Sequence, residues 1–258
     1  MIHKFFKRTA PIAIIAMSTA LAGCGEMNVN INGDEGVPLA ELDMSGDAPT
    51  NLVLAGPDNV VLNSGDTLSI DVSGDDEAVE LLRFTNDGGT LGIMREDGNW
   101  RNSGTAIVTV TMPAPESITI AGSGSVEAET MAQDADLTIA GSGSAKVTNM
   151  EATKLEATIA GSGSLSAAGT AQELELSVLG SGSGDMQDLS VDSADVTIAG
   201  AGDASFASDG EVKASILGSG TVTVTGSATC EVDSMGSGKL KCDAGTKNAA
   251  DAEMTEEA

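Results

Sequence analysis

From residue 117 onward, apolar and polar side chains alternate with a period of two, and the alternation is interrupted at nearly equal intervals by Gly-x-Gly. The first glycines of these units are Gly122, Gly141, Gly161, Gly180, Gly200, Gly218 and Gly236, spaced by 19, 20, 19, 20, 18 and 18 residues. Two residues before the glycine stand Ile120, Ile139, Ile159, Val178, Ile198 and Ile216; four before it stand Ile118, Leu137, Leu176, Val196 and Val232. Four after it come Val126, Ala145, Leu165, Gly184, Ala204, Val222 and Leu240. Alternation of this kind marks strands with one buried face, so each repeat reads as strand, glycine corner, strand. Strands that recur at this interval with no helical stretch between them pair with their copies by coiling the chain, one repeat per turn, with about 4.8 Å between coils. The pattern predicts an all-β fold, a single-stranded parallel β-solenoid with coils of about 19 residues.

The positions between the apolar ones face outward. Three before the glycine they read Thr119, Thr138, Thr158, Ser177, Thr197, Ser215 and Asp233, a column of small hydroxyls ending in an acid. The aromatic count fits a narrow coil: four Phe, one Trp and no Tyr leave a core of Ile, Val, Leu and Ala.

Upstream the alternation is less regular. Asn51–Ala55, Thr67–Val72 and Thr105–Met112 read as strands, separated by turn signals at Gly56–Pro57–Asp58, Ser73–Gly74–Asp75–Asp76 and Asp87–Gly88–Gly89. They are expected to lead into the solenoid and cover its N-terminal end. Only Glu77–Phe84 has a helical look, and Pro38–Leu42 is expected to open the folded part.

Residues 1–23 belong to none of this. Lys4, Lys7 and Arg8 form a basic region, Ala10–Ala20 is a short apolar run, and Leu21–Ala22–Gly23–Cys24 follows. This is the pattern of a secretory signal, too short to span a bilayer. Leu-Ala-Gly-Cys resembles the bacterial lipobox, which implies that the Cys24 thiol is acylated (by palmitate and similar chains), becomes the mature N-terminus and ties the protein to a membrane. Gly25 after the cysteine resembles the pattern routed to the outer membrane. The alternative is an ordinary cleaved signal with an incidental cysteine. Residues 24–36 are polar and aperiodic, as in a flexible tether, and 244–258 read as a disordered acidic tail. The folded domain is therefore expected over residues 37–243, with the glycine repeats in 117–243.

Charge narrows the range of partners. Removing residues 1–23 takes away three basic side chains and no acid, leaving nine basic residues against thirty-nine acidic, a net of −30. That balance argues against a nucleic-acid partner. It also removes His3, the single histidine, so no imidazole-based triad or zinc site is open to the mature chain.

The segment Leu54–Ala55–Gly56–Pro57–Asp58–Asn59–Val60, with Gly65–Asp66, Val72–Ser73–Gly74–Asp75–Asp76 and the phased Gly-Ser-Gly series behind them, resembles the autotransporter adhesin head GIN domain, a bacterial domain without an assigned function. The resemblance covers about residues 37–243. It implies a right-handed β-solenoid on a secreted or lipid-anchored protein, brings no catalytic residue, and supports a surface-interaction role with an envelope glycan or protein.

Three sets of side chains are candidate sites. Cys230 and Cys242 lie six residues before and after the last corner glycine, so both point into the terminal coil, where an oxidising compartment favours a disulfide. The alternative is two unpaired core thiols. Five residues before the glycine, Asp136, Glu156, Glu175 and Asp195 form an outward acidic column about 4.8 Å apart, whose repulsion either Ca²⁺ bridging or plain solvation relieves. Trp100, Arg101, Arg95 and Glu96 form the remaining cluster. It reads as a packed loop more readily than as the subsite of a polysaccharide-active enzyme, and no enzymatic role is expected. The Thr-x-Ala face, as in Thr119/Ala121 and Thr138/Ala140, is broken by Ser177/Leu179 and Ser215/Leu217, which argues against a regular ice-like template.

Overall fold

The computed structural model describes residues 15–18, 28–31, 35–96, 100, 103–243 and 246–248. Period-two alternation builds the expected solenoid. In the repeat region the strands are β9 (Ser117–Gly122), β10 (Ser125–Ala128), β11 (Asp134–Gly141), β12 (Ser144–Gly161), β13 (Ser164–Gly180), β14 (Ser183–Gly200), β15 (Asp203–Gly218), β16 (Thr221–Thr225), β17 (Thr229–Gly236), β18 (Lys239–Cys242) and β19 (Thr246–Asn248). They stack in parallel with the copies in register: Ile120 pairs with Ile139, Ile139 with Ile159, Ile159 with Val178, and Val178 with Ile198. Every one of these side chains is buried, and they form one continuous core with Leu137, Leu176, Val196 and Phe206.

The corner glycine is forced by the coil beside it. Gly161 has φ 125°, and a Cβ there would stand 2.4 Å from the Gly141 carbonyl oxygen. No L side chain fits that φ comfortably, and the close approach lets Ser162 N–H donate to Gly141 O at 2.9 Å, carrying the ladder round the bend.

Upstream, the strands are β3 (Asn51–Gly56), β4 (Asn59–Ser64), β5 (Ser69–Gly74), β6 (Leu82–Asp87), β7 (Thr90–Arg95) and β8 (Ala106–Met112), with α1 at Asp76–Leu81 and a short 3₁₀ turn at Leu39–Glu41. The helix ends before Phe84: Leu82 begins β6, whose alternate residues Leu82 and Phe84 are buried as strand positions. These strands do more than lead into the solenoid. β3 pairs in parallel with both β7 and β9, and β4 with both β8 and β10. The first coil in sequence, β3–β4, thus lies second in space, between β7–β8 and β9–β10. Antiparallel β6 on β7 and β5 on β8 then cover the outer end.

Two more strands fall in the segments read as signal and tether. β1 (Ile15–Ser18) and β2 (Asn28–Ile31) form an antiparallel pair, and Ile31, 1 % exposed, packs on Val53, Ala55, Met94 and Ala121. The expected tail falls mostly outside the described residues, but Thr246–Asn248 adds a strand to β17.

Candidate functional site

Because the coils stack in register, each outward position becomes a straight column. The column one residue before the glycine runs Met94, Ala55, Ala121, Ala140, Ala160, Leu179, Ala199, Leu217, Met235 along the stack. Ile31 and Trp100 cover its first three members. At the other end Leu179, Leu217 and Met235 are 47, 50 and 74 % exposed. Beside it runs the hydroxyl column of Thr119, Thr138, Thr158, Ser177, Thr197 and Ser215, so these two columns carry no charge from β9 to β15, and the next outward position on the same strands is the acidic column. The leucines that break the Thr-x-Ala array are therefore the exposed apolar end of that face.

The acidic column is adjacent as expected: Asp136 pairs with Glu156, Glu156 with Glu175 and Glu175 with Asp195. Lys154 enters it from the neighbouring column, its Nζ 2.8 Å from Glu175 and 3.9 Å from Glu156. Donation to Glu175 raises the pKa of Lys154. At the end of the column, burial raises the pKa of the Asp136 carboxyl, against a hydrogen bond from Thr138 Oγ1 that lowers it. Among the described residues no three acidic or sulfur ligands converge as a metal cage.

Arg95 is not an exposed base. It is 1 % exposed and donates from Nε and Nη2 to the two carboxylate oxygens of Asp58 at 2.7 and 2.5 Å, and from Nη1 to Ser103 Oγ at 2.6 Å. Asp58 also accepts from Ala106 N–H at 2.8 Å. Trp100 Nε1 donates to Glu96 O, and the Glu96 carboxylate pairs with Arg83, so the cluster holds a loop against the stack. Arg101 lies outside the described residues, as does Cys24. Cys230 and Cys242 form the expected disulfide in the terminal coil. One feature had no sequence signal: a shallow polar groove of about 330 Å³ across neighbouring coils, lined among others by Gln133, Glu151, Thr153, Gln172 and Asp192.

No curated protein matches the chain. Its fold is that of several solved structures. A "putative adhesin" from Bacteroides fragilis aligns with TM-score 0.70 and 20 % identity over 76 % of this chain and 92 % of that one. A "putative lipid binding protein" from Parabacteroides distasonis aligns with TM-score 0.54 and 20 % identity over 79 % and 93 %. A "putative adhesin" from Parabacteroides merdae gives 0.56 and 18 % over 76 % and 92 %. Likeness at that identity establishes the architecture. The sequence itself matches the family model described as "Putative auto-transporter adhesin, head GIN domain" over residues 48–228, from just before β3 to just after β16. That span is well over half of the 258 residues, and the chain belongs to this head GIN domain family.

Proposed function

We propose that the chain is a non-catalytic, adhesin-like module of the bacterial cell envelope, tied to a membrane by a lipid on Cys24 and acting through the flanks of its solenoid. The observation that carries this reading is the straightness of the outward columns. Rows of hydroxyls, alanines and carboxylates repeated over coils about 4.8 Å apart present a long, rigid flank that suits an extended glycan or protein partner. Covalent chemistry calls for something else, a nucleophile and a base converging in a water-shielded pocket. Arg95, the buried base of that cluster, is consumed by Asp58.

Crosslinking of intact cells followed by capture of the protein should recover a specific envelope glycan or protein. Recovery of none beyond the background of an unrelated lipoprotein would overturn the interaction role. Cys24→Ser should move the protein out of the membrane fraction with its melting behaviour unchanged; retention after a salt and urea wash would overturn the anchor. Divalent cations bridging the acidic column would show as a calcium-dependent rise in melting temperature. We expect none at millimolar calcium, because Lys154 already supplies counter-charge in mid-column.

A further inference from the structure

The tether is shorter than its sequence, and it leaves the domain from one particular face. Ile31, whose strand partner β1 lies within the residues removed with the signal, packs on Val53, Ala55, Met94 and Ala121, outward residues of the two uncharged columns and their upstream continuation, so only Gly25 to Ile31 separate Cys24 from that face. Seven residues reach at most about 25 Å when fully extended. An anchor attached to the flank of the first coils, rather than to the tip of the stack, brings that flank toward whatever holds the anchor.

The rest of the face suits such an approach. In a chain of net charge −27, the hydroxyl and alanine columns carry no charged side chain from Thr119 to Leu217. Pressing carboxylates against a bilayer would strip them of water at high cost, so the contact is confined to these two columns beside the corner and leaves the acidic column of Asp136, Glu156, Glu175 and Asp195, two residues further along the same strands, at its margin. Away from the tether, three of the last four coils replace the usual alanine with Leu179, Leu217 and Met235, all exposed. Near it stands Trp100, half-buried, a residue type that favours the headgroup region.

We propose that this face lies on the bilayer to which Cys24 is anchored, with Leu179, Leu217 and Met235 as a second, non-covalent contact roughly 14–29 Å along the stack from Ala121 at the tethered end. The inference rests on the lipid anchor at Cys24 and adds the orientation of the domain. Two weak attachments acting together hold a protein flat where one alone lets it tumble.

The test uses the membrane-extracted mature protein reconstituted in neutral phosphatidylcholine–phosphatidylethanolamine vesicles. With Cys24 acylated and Cys230 bonded to Cys242, an introduced cysteine is the free thiol for labelling. A polarity-sensitive dye on Leu217→Cys should be quenched by nitroxide-bearing lipids roughly threefold more than one on Thr170→Cys, in the groove flank. Adding Leu179→Glu and Met235→Glu to the Leu217→Cys protein should bring its quenching down to the Thr170→Cys level. Intact mass accompanies both readings. Acylated protein with equal quenching at the two sites overturns the flat orientation alone. Protein without acyl mass overturns the anchor and the orientation with it. A disulfide between two Leu217→Cys chains in place of lipid quenching also overturns the proposal and assigns the face to a second copy.

Discussion

The two ends of the stack solve one problem with different means. A solenoid leaves a row of unpaired backbone groups and a cross-section of core at each end. At the N-terminal end, β7–β8 is covered by antiparallel β6 and β5, by α1, and by the bridge of Val37 to Phe84, while the buried Arg95–Asp58 pair pins the loop before β8. The C-terminal end has no comparable cover among the described residues. Val232 is 9 % exposed, Leu240 and Cys242 are only partly buried, β19 pairs β17 over three residues, and a disulfide closes the coil. Between them the copies support one another. One end is closed by folding extra chain onto it and the other by a covalent bond, so the two ends should fail under different insults.

The middle of the stack sets the scale for any such failure. Ile159→Asp places a charge in a coil with no partner for it, and should cost about 4 kcal/mol or more, whereas Thr158→Asp on the outward side should leave the melting temperature close to wild type. Equal melting temperatures for the two would refute the two-faced repeat. At the N-terminal end, Arg95→Met strands the buried Asp58 carboxylate and should cost about 3–5 kcal/mol. The double variant Asp58→Leu/Arg95→Met should recover much of that loss. Hydrogen exchange checks its location, since β4 and β8 should lose protection first.

Reducing the disulfide should cost roughly 2–4 kcal/mol. The effect sharpens the comparison if coils after Gly218 lose exchange protection while those around Gly122–Gly161 keep it. Uniform loss would reject a local cap, and free thiols at Cys230 and Cys242 in protein from the envelope would reject the bond. Gly161→Ala, in the middle, should cost about 1–3 kcal/mol from its positive φ and its contact with Gly141 O. The smallest effect belongs to Asp136. Burial raises its carboxyl pKa, so the folded state binds the proton more tightly than the unfolded one. Stability then falls as pH rises from the ordinary carboxylate value to the raised one. Asp136→Asn should raise the melting temperature slightly at neutral pH and leave it unchanged in acid below that window.

Periodic features were legible because the corner glycine that sets their register is written seven times. The corner glycines, the inward columns, the acidic column and the inward pair of cysteines follow from register alone, and Phe206 and Val224 take the inward places that alternation gives them. What stayed hidden occurs once. The partnership of Asp58 with Arg95 spans distant parts of the chain and has no period to reveal it. Ile31 ends a brief alternation of Met27, Val29 and Ile31 with asparagines between, a signal that the reading of this polar stretch as a tether passed over. Leu179 and Leu217 were visible as departures from Thr-x-Ala, but only stacking shows that they share a column with Met235. The helical look of Glu77–Phe84 failed at its second half, where tertiary pairing of β6 with β7 overrides local preference.

The position of β3–β4 between two later coils bears on how the chain assembles as its residues become available in order. When residues 51–64 emerge, neither neighbour of that coil exists. One side waits for β7–β8, the other for β9–β10. These are long loop closures, made before any contact rewards them, and they are the expected slow step. Once β9–β10 has docked, each new repeat meets a finished edge and adds to it in sequence, so the remainder grows in the order of synthesis, as a thread wound onto a spool already started. A substitution that weakens β3 or β8 should therefore slow folding of the whole chain, whereas one in β15 should leave the folding rate alone and speed unfolding.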